Sequence, residues 1–129
     1  MRRYVTAQDL LAIHWDQIER YGGSHGVRDL GLLQSALFRP QSGYYADLIE
    51  ECAALWESLA QNHPSFDGNK RTAFAAVYTF LRINGAELRA DADEAFAFIS
   101  LLYDRGEFKY KHLEAWLRVN VKFPAGQPK

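Results

Sequence analysis

The sequence predicts a single all-α domain, and three features carry that prediction. Apolar residues recur at three- and four-residue spacing through most of the chain, candidate helix caps fall between the apolar stretches, and only one short segment reads as extended. A length of 129 residues is enough for one core and too short for two.

Thr6, with Asp9 three residues on, forms a capping-box variant that opens a helix running to about Arg20. Its apolar face carries Leu10, Leu11, His14, Ile18 and Tyr21. "YGGSHGVRD", with three glycines, is the clearest loop. Asp29 then caps a short helix, "LGLLQSALF", and "RPQSGYYAD" reads as a second loop. From about Ala46 to Gln61, Leu48, Cys52, Leu55 and Leu59 recur at helical spacing, with Glu50, Glu51 and Glu57 elsewhere around the helix. "RTAFAAVYTFLRING" is apolar nearly all round, which predicts a buried central helix over about 69–84, ended by Gly85. "AELRA" is the extended link. Asp91 and Glu94 start another helix through Ala95, Phe96, Ile99, Leu102 and Tyr103, ending near Gly106. A last helix uses Leu113, Trp116 and Leu117. The domain is expected to span 1–120, with 121–129 as a flexible C-terminal tail.

Composition removes several function classes. A hydrophobic fraction of 48% and a charged fraction of 24% are those of a folded globular chain. A net charge of −1 argues against a strongly cationic nucleic-acid binder. The single cysteine, Cys52, forms no internal disulfide, suits a reducing compartment and reads as inert core. "MRRYVTAQDL" has no apolar run behind its basic residues, and no stretch reaches the ~18 apolar residues of a membrane span. The chain reads as cytosolic and soluble. The four histidines lack the spacing of a structural zinc site.

The polar groups are concentrated in "NHPSFDGNKRTAF", Asn62 to Phe74, at the mouth of the central helix. A helix beginning at Asn69 presents free N–H groups at the positive end of its dipole, an anion site to which phosphate is suited. Gly68 permits positive φ and close approach of a ligand. Lys70 and Arg71 add cations where they oppose the dipole, an arrangement that expects an anion. Asp67 is a hard oxygen ligand for Mg²⁺, and His63 is placed to accept a proton at neutral pH. These parts fit phosphoryl or nucleotidyl transfer; a solvated turn before a helix is the plain alternative. His14, on an apolar face, reads as a loop-bracing histidine, and His25 and His112 as solvent-facing. Arg28 and Asp29 read as loop brace and cap, while Tyr44 and Tyr45 are left between a binding groove and plain packing.

"HPSFDGNKR" resembles the Fic/Doc signature His-x-Phe-x-(Asp/Glu)-Gly-Asn-x-Arg. "KRTA", "HWDQIERYGGSHGVRDLGLLQSAL", "RPQ" and "FLRINGAEL" resemble the death-on-curing, or Doc, branch, over roughly Tyr4 to Leu117. The resemblance implies a compact Fic-type helical bundle and a toxin paired with an antitoxin whose C-terminal segment lies in a groove over the site. It implies a kinase-like transfer of the ATP γ-phosphate to a threonine of elongation factor Tu, arresting translation. Carried over by position, His63 is the general base, Asp67 the Mg²⁺ ligand, and Gly68, Asn69, Lys70 and Arg71 the nucleotide-phosphate group, with ATP and Mg²⁺ as cofactors. Lys70 in place of a glycine, and Phe74 where AMP-transferring relatives carry a second arginine, favour phosphoryl over AMP transfer. Three positions depart from the family pattern: Ser65 stands at the phenylalanine position with Phe66 one step later, and Trp15 and Gln61 replace charged residues. A catalytically weak antitoxin-binding module is the reading those departures favour.

Overall fold

The computed structural model describes residues 1–124. Six α-helices and a two-stranded ribbon make up the described residues, together with one short 3₁₀ turn. Helix α1 (Ala7–Tyr21) begins where Thr6 Oγ1 accepts from the Asp9 N–H and Asp9 Oδ2 accepts from the Thr6 N–H, so both halves of the capping box form. Helix α2 (Leu30–Phe38) is capped by Asp29 and continues into a 3₁₀ turn, Arg39–Gln41, where the sequence had indicated only loop. Pro40 sits at the start of that turn, where its missing N–H costs nothing. Helix α3 (Leu48–Asn62) is capped by Asp47. Helix α4 (Asn69–Ile83) follows the polar stretch and is followed by strand β1 (Glu87–Leu88). Helix α5 (Ala92–Asp104) is capped by Asp91, and α6 (Tyr110–Asn120) closes the bundle.

The bundle centre differs from the expected one. In α3, eleven of fifteen residues are buried, against six of fifteen in α4. Apolar content alone had pointed to 69–84, yet Tyr78 is exposed and Phe74 and Ala75 are only partly covered, so one face of α4 remains open. The interior of α3 is lined by small residues, Cys52, Ala53, Ala54, Ala60, which let α2, α4 and α6 close around it. Trp56 fills the middle, with the rings of Phe74, Phe98, Phe108 and Trp116 arranged about it at 5.6–6.3 Å. Glu51, which helical spacing placed off the apolar face, is buried and accepts from Arg2 Nε at 3.1 Å. Cys52 is fully buried, and desolvation pushes its thiol far above the ordinary range.

Strand β2 (Val121–Lys122) pairs antiparallel with β1, Glu87 opposite Lys122 and Leu88 opposite Val121. Val121 and Lys122 therefore belong to the fold and not to a tail; of the segment expected to be flexible, 125–129 lie outside the described residues. No helix among the described residues is long and apolar enough to cross a membrane.

Candidate active site

Three short segments meet at the mouth of α4. The first is the end of α3, where His63 leaves the helix at φ 48° and ψ 54°, the one non-glycine residue with positive φ among those described. That left-handed conformation costs about 1–3 kcal/mol in a residue with a Cβ and needs outside support. Arg28 provides it: Nη2 donates to the His63 carbonyl at 2.7 Å, while the Arg28 and Asp29 N–H groups both donate to the Pro64 carbonyl, at 2.7 and 3.0 Å. Val27 faces Ser65 in an antiparallel bridge, and the Phe66 N–H donates to the Gly26 carbonyl at 3.3 Å. The stretch 63–66 is thus bound along its length to the glycine loop between α1 and α2.

The turn itself is clasped from both sides. Asn69 Nδ2 donates to the Ser65 carbonyl and Asn69 Oδ1 accepts from the Ser65 N–H, both at 3.0 Å. His14, buried on α1, lies with Nε2 2.8 Å from the Asp67 carbonyl; a carbonyl only accepts, so that nitrogen carries the proton. Asp67 Oδ2 accepts from the Ser24 N–H at 2.8 Å. Gly23, at φ 115°, lets the loop come this close, since a Cβ there would lie 3.1 Å from Asp67 Cβ. Gly68 adopts φ 75°, and a Cβ on it would meet Ile18 Cδ1 at 3.0 Å.

No side chain caps α4. Its first ladder bond runs from the Thr72 N–H to the Gly68 carbonyl, so the N–H groups of Asn69, Lys70 and Arg71 precede any helical acceptor at the positive end of the dipole. Helix α6 also lacks its own cap, but there the Tyr110 N–H donates to Glu57 Oε2 at 2.7 Å. Lys70 Nζ lies 3.8 Å from the centroid of Tyr103, whose phenol is pushed up by burial and so presents a neutral ring. Arg71 Nη2 donates to the Gly22 carbonyl at 3.0 Å, and its guanidinium lies over Tyr21. The cations are held beside the helix mouth by rings and a carbonyl, with no carboxylate partner among the described residues.

These residues enclose a cavity of about 340 Å³ lined by His63, Phe66, Asp67, Gly68, Asn69, Lys70 and Arg71. All six residues singled out in the sequence line it, and Phe66 is added. A second, larger groove of about 820 Å³ runs between α1, α4 and α5 past Ile13, Phe74, Tyr78 and Phe96 and reaches the first at Arg71.

The Fic/DOC family model matches residues 4–81, a span that includes α1, the glycine loop and the whole of the 63–71 site. The chain belongs to the Fic/DOC family. It is 53% identical over 98 residues to Toxin Doc of Mycolicibacterium smegmatis, covering 72% of this chain and 73% of that one. It is 34% identical over 90 residues to Protein kinase doc of Escherichia phage P1, covering 67% of this chain and 71% of the relative.

Within this Fic/DOC domain, the departures read from the sequence have structural outcomes. Ser65 is buried, which keeps the 65–69 clasp dry, and Phe66 points outward into the cavity. Trp15 is exposed and stacks on His25 at 3.8 Å, while His25 Nε2 lies 2.7 Å from Glu19, so His25 is packed and bonded where exposure was expected. Gln61 Nε2 donates to the Phe108 carbonyl at 2.7 Å, a bridge between α3 and the segment before α6. Arg28 and His14 do brace the loop. Ser24 and Gly23 are the site's neighbours that sequence reading missed; a serine after two glycines carries no signal for a main-chain donor 43 residues from its acceptor.

Proposed function

We propose that this chain is a Doc-like toxin that transfers the γ-phosphate of ATP to a threonine hydroxyl of elongation factor Tu and so arrests translation in the cytoplasm. The observation that carries the reading is the uncapped mouth of α4, with its N–H groups, Lys70 and Arg71 sharing one cavity with His63 and Asp67. The relatives support it: one is named a toxin and the other a protein kinase.

His63 accepts the hydroxyl proton as the threonine oxygen bonds to the γ-phosphorus; the bond from that phosphorus to the β,γ-bridging oxygen breaks and ADP departs. The N–H groups of α4 with Lys70 and Arg71 hold the phosphate oxygens as charge shifts toward the leaving group. Asp67 would hold Mg²⁺: its Oδ2 accepts from the Ser24 N–H, which leaves Oδ1 as a hard oxygen donor for the cation. Bound there, the cation would supply positive charge against that of the nucleotide phosphates. Asn69 contributes its N–H to the anion site, since its side chain is committed to Ser65.

The apolar groove between α1, α4 and α5 is assigned to the C-terminal segment of the cognate antitoxin. Its end at Arg71 lets a segment lying there reach the phosphate cradle and block it.

The test is transfer from ATP labelled at the γ- or the α-phosphate to purified elongation factor Tu. The expected outcome is γ-label on the acceptor, reduced ~10²–10⁴-fold by His63→Ala. Label from the α position would make the protein an AMP transferase instead. No label from either, with antitoxin binding intact, would leave a binding module.

A further inference from the structure

We propose that Phe66 is the acceptor-side specificity residue: its ring receives an apolar side chain next to the hydroxyl that takes the phosphate. The inference rests on the phosphotransfer reading and deepens it. Phe66 is 60% exposed, yet it lines the same cavity as His63 and Asp67. One side of its ring is seated. The Phe66 N–H is bonded to the Gly26 carbonyl at 3.3 Å, and the ring lies on the Gly26 backbone, where a Cβ would stand 3.4 and 3.5 Å from Phe66 Cδ2 and Cε2. Gly26 is at φ 115°, so the seat under the ring is one that glycine makes available. Ser65 takes the inward position beside it, so the ring is not drawn into the core. What distinguishes Phe66 among the exposed rings is that it lines the cavity of the proposed base, where an acceptor side chain can pack on it.

Position in the cavity identifies the partner. The stretch carrying His63 and Phe66, bonded to the loop at Gly26, Val27 and Arg28, lines one part of the cavity. Lys70, over Tyr103, and Arg71, over Tyr21, line it from the first turn of α4. In-line transfer places the attacking and leaving oxygens on opposite sides of phosphorus. The attacking oxygen belongs beside its base, His63, so the acceptor polypeptide lies along the His63–Phe66 stretch. The leaving diphosphate and its nucleoside lie toward the cations of Lys70 and Arg71.

The test is a positional-scanning library of threonine peptides, labelled in parallel from γ- and α-labelled ATP. It is run with wild type, Phe66→Ala, Phe66→Tyr and the remote surface variant Tyr44→Ala. The expected result is a preference of about tenfold or more for an apolar residue flanking the threonine over glycine or aspartate. That preference should be lost in Phe66→Ala and kept in Phe66→Tyr and Tyr44→Ala. A wild type without flanking preference, or a Phe66→Ala variant that keeps it, overturns the inference. Titration with a non-hydrolysable ATP analogue and Mg²⁺ gives the competing assignment: weaker nucleotide binding in Phe66→Ala with the flanking preference intact would place the nucleobase on the ring. Label from the α position with the preference dependent on Phe66 sinks the kinase reading and leaves this one standing. Absence of label from either nucleotide overturns both.

Discussion

Asn69 sits in the family signature, and its side chain spends both of its polar atoms on the backbone of Ser65. Ser65 is buried, so neither of those backbone groups has water as a substitute partner. Asn69→Leu removes both bonds at nearly constant size, and the expected loss is about 2 kcal/mol of stability, read from the denaturant midpoint. Asn69→Asp keeps the acceptor for the Ser65 N–H and adds negative charge at the uncapped end of α4, where it competes with phosphate. The expected outcome for Asn69→Asp is a raised KM for ATP with part of the stability lost, because the Ser65 carbonyl then lacks its donor. A variant that melts like Asn69→Leu but binds ATP normally would show the residue to be structural alone. Its membership of the site was legible in the sequence, because an asparagine opening a helix after Asp-Gly is a recognisable pattern. Its clasp on Ser65 was not, since that depends on how the chain turns between 65 and 69. The same applies to His14, whose burial was legible from its helix face but whose partner, the Asp67 carbonyl, is supplied 53 residues away.

At the scale of elements, caps explain why the helices begin where they do. Asp47 accepts from the Glu50 N–H at 2.9 Å and is gripped by Arg118 Nη1 at 3.0 Å, tying the start of α3 to α6. Partial burial pushes the Asp47 carboxyl up, but the Glu50 N–H and Arg118 outweigh it and hold the carboxyl below its ordinary value. A carboxyl depressed in the folded state contributes stability above the ordinary carboxylate pKa of about 4 and loses that contribution as pH falls through the lower folded value. Asp47→Ala should cost about 1 kcal/mol at pH 7. Asp47→Asn keeps a cap and removes the charge, so the gap between it and wild type should close as pH is lowered below about 4. Urea titrations of both proteins at pH 7 and pH 3 check this; a gap independent of pH would remove Arg118 from the account. Thr6, Asp29, Asp47 and Asp91 cap their helices, while no side chain caps α4.

Across the whole molecule, α3 is the axis on which the site is mounted. Trp56, 1% exposed, touches rings from α4, α5, the segment before α6, and α6 itself. Trp56→Ala should cost about 3–5 kcal/mol. Against a total of about 5–15 kcal/mol for a domain of this size, that is enough to leave the bundle marginal or unfolded at 37 °C. Circular dichroism melting of Trp56→Ala and Trp56→Phe gives the check: a large drop for alanine and partial recovery for phenylalanine. Loss of less than 1 kcal/mol in the alanine variant would mean that the ring cluster is not the core it resembles.

The sequence by itself determined the fold class, the starts of α1, α2, α4 and α5 and the six residues that line the polar cavity, because caps, apolar spacing and a contiguous signature act over a few neighbouring residues. Only the tertiary structure decided which helix is central. Apolar count favoured 69–84, but small side chains allow close approach on several sides, and they belong to α3. Pairing of 121–122 with 87–88 likewise needed a partner more than 30 residues away. The seating of Phe66 on Gly26, the hold of Ser24 on Asp67 and the support of His63 by Arg28 all join segments distant in the chain. Their energy is that of a loop closed by the packing of α1 and α2 against the bundle, which no local pattern encodes.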